Sequence, residues 1–442
     1  MASLTYAELL KGNRNFRNLF SGQVVSELGN WFNFIAGLGL VRVVSGAAPD
    51  AAAIILVART APFAICAMFA GAYVDRWSRK KVMIATDFAR VAVAFGFLLV
   101  KSPEDLWIAY LCTVLLSVFG AFFEAAKNAA MPNVTGEQGL LSGNALMFSS
   151  RFLLMSVGAA LGGWASAAFG YQIAFIINAV SFLVSAYSIW LIPAEEMQTK
   201  AARAENEVEK TRASVFSDIK DGWTFIRSQP LVLTIIGLNI IWAVGGGAIN
   251  LIAERLGGVV FAGTDGWSAD AAVAALYTAA GGGLFVGMMF ARRVGDFVER
   301  KNLIVPFIGW FLILQGVIYG FAGLMPNLWL VMALMFVSRI MLGVEYAVQE
   351  TILMKLIPDN LRGRVMTTDR AGEISVFSVS NLAAGWSLYL ITPQMLTVIS
   401  GVLSGLSGAF WFARVSSSRS HLPQLGSEPI NEPQQTPLAQ TN

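Results

Sequence analysis

Charge is the first thing this sequence lacks. Only 13% of its 442 residues are Asp, Glu, Lys or Arg, where a soluble domain carries roughly 25%, and 56% are hydrophobic. Histidine is nearly absent. The single His421 lies in a polar C-terminal stretch, so imidazole catalysis and zinc ligation have almost nothing to work with. The two cysteines, Cys66 and Cys112, fall inside apolar runs and read as small hydrophobes, implying neither a disulfide nor a thiolate metal site. No Gly-x-x-x-x-Gly-Lys-Ser/Thr segment occurs, no polar domain is large enough to hydrolyse ATP, and no nucleophile–base or metal set is visible. The chain reads as non-enzymatic, with no cofactor and no metal. Residues 1–20 are polar without a basic-then-apolar cleavable pattern, so the first apolar run reads as a retained helix.

What the sequence does have is apolar runs of membrane-spanning length, repeated along the chain. They lie at 16–44, 51–74, 82–100, 106–126, 144–169 and 171–192, then at 230–253, 269–292, 303–324, 328–354, 365–391 and 393–415. The 42 Gly and 12 Trp suit helices packed in lipid. Basic residues cluster in alternate loops: Lys11, Arg14 and Arg17; Arg76 to Lys81; Lys200 to Arg227; Arg292 to Lys301; Lys355 to Arg364; and Arg414 and Arg419. The other loops hold little beyond Arg42, Lys101 and Arg255. This asymmetry predicts an even number of spans with both termini cytoplasmic. It also accounts for the net charge of +3 without a nucleic-acid partner.

Residues 193–229 are polar and divide the spans six and six. Within them, Val215–Ile226 interleaves Phe216, Ile219, Trp223, Phe225 and Ile226 with charges at helical spacing, which predicts an amphipathic helix at the cytoplasmic interface, a plain solvated linker helix being the other reading. The halves resemble each other: span four ends in Phe123-Glu124-Ala125-Ala126 and span ten in Val344-Glu345-Tyr346-Ala347. The expected organisation is an N-terminal six-helix bundle (1–192), a cytoplasmic linker (193–229), a C-terminal six-helix bundle (230–415) and a disordered cytoplasmic tail (416–442). The fold class is an all-α membrane protein of twelve transmembrane helices in two pseudo-symmetric bundles. Two such halves place a substrate site between them near mid-membrane and let them rock about it.

The run Gly71-Ala72-Tyr73-Val74-Asp75-Arg76-Trp77-Ser78-Arg79-Lys80-Lys81 resembles the loop motif of the major facilitator superfamily. The segments Asn15–Gln23, Ser26–Trp31, Ser142–Leu146 and Ile357–Val365 resemble its exporter branch that includes the enterobactin exporter and macrolide efflux proteins. The resemblance implies a cytoplasmic gate of Gly71, Asp75, Arg76, Arg79 and Lys80. Gly71 would permit close helix contact and Asp75 would lie near the start of span eleven. Three departures stand out: Ala159 where the antiporter motif has Pro, no mid-helix Arg in span four, and Asn30 where exporters of this branch often have Asp. Each weakens the case for ordinary proton antiport.

Ionisable and amide side chains inside spans are functional candidates because they are expensive in lipid. The residues expected to handle substrate or coupling are Glu27, Asn30, Arg151, Asn239, Arg339 and Glu345, with Arg339 and Glu345 able to compensate each other. Arg59, Asn250 and Gln315 are further candidates for the cavity, and Phe32, Phe34, Trp242, Tyr277, Trp310 and Trp386 could line it. Asp87 with Arg90, Glu124 with Lys127 and Arg370 with Glu373 stand at i and i+3, the spacing of local ion pairs. The leading functional reading is a secondary transporter in the cell (plasma or inner) membrane: a monomer that exports an amphipathic small molecule such as a drug, macrolide or siderophore, coupled to protons. The competing readings are a lysophospholipid flippase, a non-transporting receptor or scaffold and, more weakly, a membrane enzyme.

Overall fold

Backbone N–H and C=O groups in lipid must be satisfied within the segment that carries them, and helices do this. The computed structural model describes residues 4–74, 77–198 and 215–416, and among these residues every regular element is helical. The chain is an all-α, multi-pass membrane protein. Ten of its described helices are long and apolar enough to cross a bilayer. One of them, Leu106–Phe169, holds two spans: Gly136, at φ +68°, breaks it, and Gly143 then lies back against Met131 and Thr135. Asp359–Ser387 is a further helix of spanning length, more polar than those ten. The described spans therefore number twelve.

In chain order, spans one to three are Arg14–Val44, Pro49–Val74 and Arg79–Gly96. Spans four and five share Leu106–Phe169, and span six is Tyr171–Trp190. Span seven is Pro230–Gly246 continued by Ile249–Arg255, and span eight is Ala269–Arg300. Spans nine to twelve are Ile304–Ala322, Leu328–Leu356, Asp359–Ser387 and Pro393–Ser416. Three boundaries differ from the hydropathy reading because helices do not stop where lipid does. The segment 127–143 is helix apart from the break at Gly136, span eight runs on to Arg300, and span eleven starts at Asp359. The helix Val215–Ser228 forms where the sequence predicts one. It docks on span eleven: a Cβ at Gly222 would lie 2.9 Å from the Arg364 carbonyl, and Ile226 is fully buried. The charged stretch 199–214 and the tail from 417 lie outside the described residues.

Spans one to six pack chiefly on one another, as do spans seven to twelve, and the halves meet through spans five with eight and two with eleven. Small residues let these helices approach. A Cβ added to Gly316 of span nine would come 2.5 Å from the Gly401 carbonyl of span twelve. The end of the bundle that carries Arg79–Lys81 is called here the basic end. There the buried apolar side chains form two separate cores, one around Phe16, Met83 and Phe123, the other around Ile235, Ile308 and Leu353. At the opposite end one core joins both halves, running from Ile35 and Leu56 to Leu251 and Leu276. The molecule is thus sealed at one end and split at the other.

Candidate functional site

The split opens into a cleft. Its inner lobe has a volume of about 410 Å³. An outer lobe of about 570 Å³ shares Gln23, Glu27, Glu124, Arg151 and Arg370 with it and continues to a rim at the basic end, where Leu141, Phe148 and Met354 are exposed. Span one supplies Gln23, Glu27 and Asn30, three polar groups at helical spacing on one face. Span two supplies Arg59. Ser117 of span four donates to the Arg59 carbonyl at 2.8 Å. The Arg59 guanidinium then stacks over Phe34, 4.2 Å from the ring centroid, with Trp31 at 5.7 Å. Phe63, Leu116, Phe123 and Phe377 make the apolar part of the wall.

Most cleft charges are already spoken for. Arg90 pairs with Asp87 and lies between the rings of Phe123 and Phe182, 4.4 Å from each. Glu124 pairs with Lys127 at 2.7 Å. Arg370 pairs with Glu373 at 2.7 Å and donates to the Tyr346 hydroxyl. Three charged groups of the inner lobe remain, Glu27, Arg59 and Arg151, and none has an ion-pair partner within 4 Å among the described residues.

The structure brings Glu27, Asn30, Arg59, Arg151 and Asn250 to this cleft, whereas Asn239, Arg339, Glu345 and Gln315 lie elsewhere. Asn239 sits inside the C-terminal half, where it donates to Asp369 at 3.1 Å and accepts from Gln349 at 2.6 Å. Arg339 is buried against Tyr319, 4.9 Å from the ring centroid, on the wall of an apolar side pocket of about 170 Å³ that also takes in Trp242, Asn250, Tyr277 and Phe377. Glu345 is buried, and its Oε1 has no hydrogen-bond partner. Arg339 and Glu345 do not pair, because six residues along a helix turns them about 120° apart. Gln315 lies in the core, with Ser338 donating to its carbonyl at 2.9 Å. Trp310 and Trp386, 55% and 68% exposed, face outwards rather than into the cleft.

A further cluster closes the opposite end. Arg42 of span one donates to Glu254 of span seven at 3.3 Å and also pairs with Asp270, which opens span eight. Arg255 pairs with Glu254 and donates to the Ala47 carbonyl at 2.6 Å. Arg42, Glu254 and Arg255 are all buried. Nearby, Tyr389 donates to Asp50 at 2.8 Å, and that carboxylate raises the pKa of the phenol above its ordinary value. Sequence reasoning missed this cluster. The available signal was Arg42 and Arg255, two cations kept at span ends on a side otherwise nearly bare of basic residues.

Of the gate motif, Asp75 and Arg76 lie outside the described residues. Arg79 donates to the Met197 carbonyl at 3.1 Å, and Lys80 donates to the carbonyls of Trp190 and Ile192 at 2.7 and 2.6 Å. Lys80 thus caps the C-terminal end of span six, and Arg79 holds the turn that follows it. Gly71 is not a close-approach glycine here: a Cβ on it would meet nothing within 4 Å, because the cleft is open at this end.

Comparison with known proteins agrees with this architecture. The chain is 28% identical over 229 residues to an uncharacterized MFS-type transporter, YfiS, of Bacillus subtilis, an alignment covering 51% of this chain and 52% of YfiS. It is 28% identical over 207 residues to the putative bacilysin exporter BacE of Bacillus subtilis, covering 46% and 50%. The chain thus spans about half the length of the curated relatives it matches. A bacterial homologue of the iron transporter ferroportin in its inward-facing state superposes with a TM-score of 0.66 at 14% identity, covering 90% of this chain and 98% of the other. An outward-facing structure of such a homologue gives 0.55 at 15% identity, covering 91% and 99%. The family profile described as Major Facilitator Superfamily matches residues 19–264, more than half of the chain. With twelve spans, a cleft between two helical halves and that match, this chain belongs to the Major Facilitator Superfamily.

Proposed function

We propose that this transporter exports an amphipathic small molecule by alternating access, with protons moving in the opposite direction. The observation that carries the reading is the asymmetric cleft, split between two cores at the basic end and sealed at the other by a single core and a buried ion cluster. Positive-inside statistics make the basic end cytoplasmic, so both termini lie in the cytoplasm, and this conformation loads from within a plasma or inner membrane. The moving bodies are residues 1–192 and 230–415, joined by the linker 193–229, in a monomer. BacE, a putative exporter by name, supports the outward direction.

Proton coupling rests on two carboxyl groups. Glu27 stands in the cleft facing Arg59 and Arg151, with no cation within 4 Å among the described residues. Glu345 is the counterpart of Glu124, yet Val348 stands where Lys127 neutralises Glu124. A buried carboxylate without a cation is expensive in lipid, so Glu345 is the group that binds and releases a proton as the halves move. The test is accumulation of an amphipathic dye or drug by cells making the protein. Lower accumulation, abolished by a protonophore, supports the reading. Movement of labelled lysolipid in vesicles without dye export would favour a flippase, and neither activity would leave a scaffold.

A further inference from the structure

The cleft has an unbalanced charge inventory that says what kind of molecule fits it. Among its ionised walls, Arg90, Glu124 and Arg370 are each neutralised by a neighbour in their own span. That leaves two guanidinium groups and one carboxylate facing the same lobe of about 410 Å³, a size in the range of small-molecule sites. We infer that the cleft binds an amphoteric ligand, with an apolar body, one oxyanion held by Arg59 and Arg151, and one ammonium group held by Glu27.

The geometry favours this class over its neighbours. One face of Arg59 is covered by Phe34, which fixes the guanidinium plane and leaves its edge N–H groups for a carboxylate or phosphate. A purely cationic ligand would meet two guanidinium groups and only one carboxylate. A neutral ligand would displace water from three charges and pair none of them. Span one adds amide groups beside Glu27: Gln23 and Asn30, about one turn to either side, line the lobe, and an amide oxygen can accept an ammonium proton. Phe63, Leu116 and Phe377 receive the apolar body. The same chemistry belongs to a free amino-acid-like compound and to a zwitterionic lysolipid.

This inference rests on the transport reading for its meaning but is tested by binding alone. The purified full chain in maltoside micelles is melted with four probes sharing one body: the dipeptide Phe-Phe, its N-acetyl form, its C-terminal amide and the doubly blocked form. A second arm compares lysophosphatidylethanolamine with lysophosphatidylmethanol, which lacks the amine. The expected result is that the zwitterion of one arm raises the melting midpoint at a concentration about tenfold below that needed by its partners. The arm that responds identifies the source. Arg59→Gln and Arg151→Gln should each abolish the shift. Glu27→Gln should remove the advantage of the zwitterion over the N-acetyl form. The wild-type series decides even if a variant fails to fold. Absence of a shift from either zwitterion, or an equal shift from the amide or blocked form, overturns the inference. Dye export that persists without charge discrimination sinks the substrate class and spares the transporter. Zwitterion binding without any export does the reverse.

Discussion

Arg42 and Glu254 are 212 residues apart in the chain and 3.3 Å apart in space, and both are buried. With Asp270 on the same guanidinium, they tie the first half of the transporter to the second at the end away from the cleft mouth. A buried ion pair contributes little net stability over an apolar replacement, but removing one partner strands the other. Its value here is conformational: it can hold one closed arrangement and be dismantled in another.

Arg42→Gln therefore leaves Asp270 without a cation and Glu254 with Arg255 alone, and destabilises the sealed conformation by up to about 3 kcal/mol. The check is labelling of Ala47→Cys by a membrane-impermeant maleimide added outside cells. Labelling should rise in the Arg42→Gln background, and the paired change Arg42→Met with Glu254→Met should bring it part of the way back.

That cluster also marks the limit of the sequence reading. Apolar runs located the spans because lipid demands them, and i, i+3 spacing found the Asp87–Arg90, Glu124–Lys127 and Arg370–Glu373 pairs because helix geometry brings those positions together. Polar groups on span one pointed to the cleft for the same local reason. Contacts between distant spans leave no such periodic trace. The Arg42 cluster stayed hidden, Asn239 was drawn to the cavity although its partners are Asp369 and Gln349, and Trp386 could not be distinguished from a cleft aromatic.

Glycine substitutions separate contact from motif. Gly316→Leu forces side-chain atoms against the Gly401 backbone and should lower the melting midpoint strongly, by loss of about 1–3 kcal/mol or more from overpacking. Gly71→Ala has open space around its new Cβ and should leave the midpoint unchanged. Thermal unfolding of the two purified variants makes the comparison directly.

Asp87→Asn leaves Arg90 charged and buried between the faces of Phe123 and Phe182 without its ion-pair partner. The expected loss is about 3–5 kcal/mol, seen as a lower midpoint and reduced yield of inserted protein. Replacing both members with apolar residues, Asp87→Leu with Arg90→Met, should recover most of it.

Glu345→Gln removes a titratable group without adding a charge or changing volume. Insertion and melting should be close to wild type, whereas dye export should lose its response to an imposed pH gradient across everted vesicles. A variant that keeps full pH dependence excludes Glu345 from coupling and returns that role to Glu27.

The central claim is that the two halves open at one end only while they close at the other. Spin labels at Leu141→Cys and Met354→Cys report the cleft mouth, and labels at Val43→Cys and Val259→Cys report the sealed end, in a chain whose Cys66 and Cys112 are replaced by Ser; all four label sites are exposed. Pulsed electron–electron distance measurements on both pairs, with and without Arg42→Gln, should show the mouth distance shortening as the sealed-end distance lengthens. Distances that both lengthen, or that both stay fixed, would contradict alternating access in this protein.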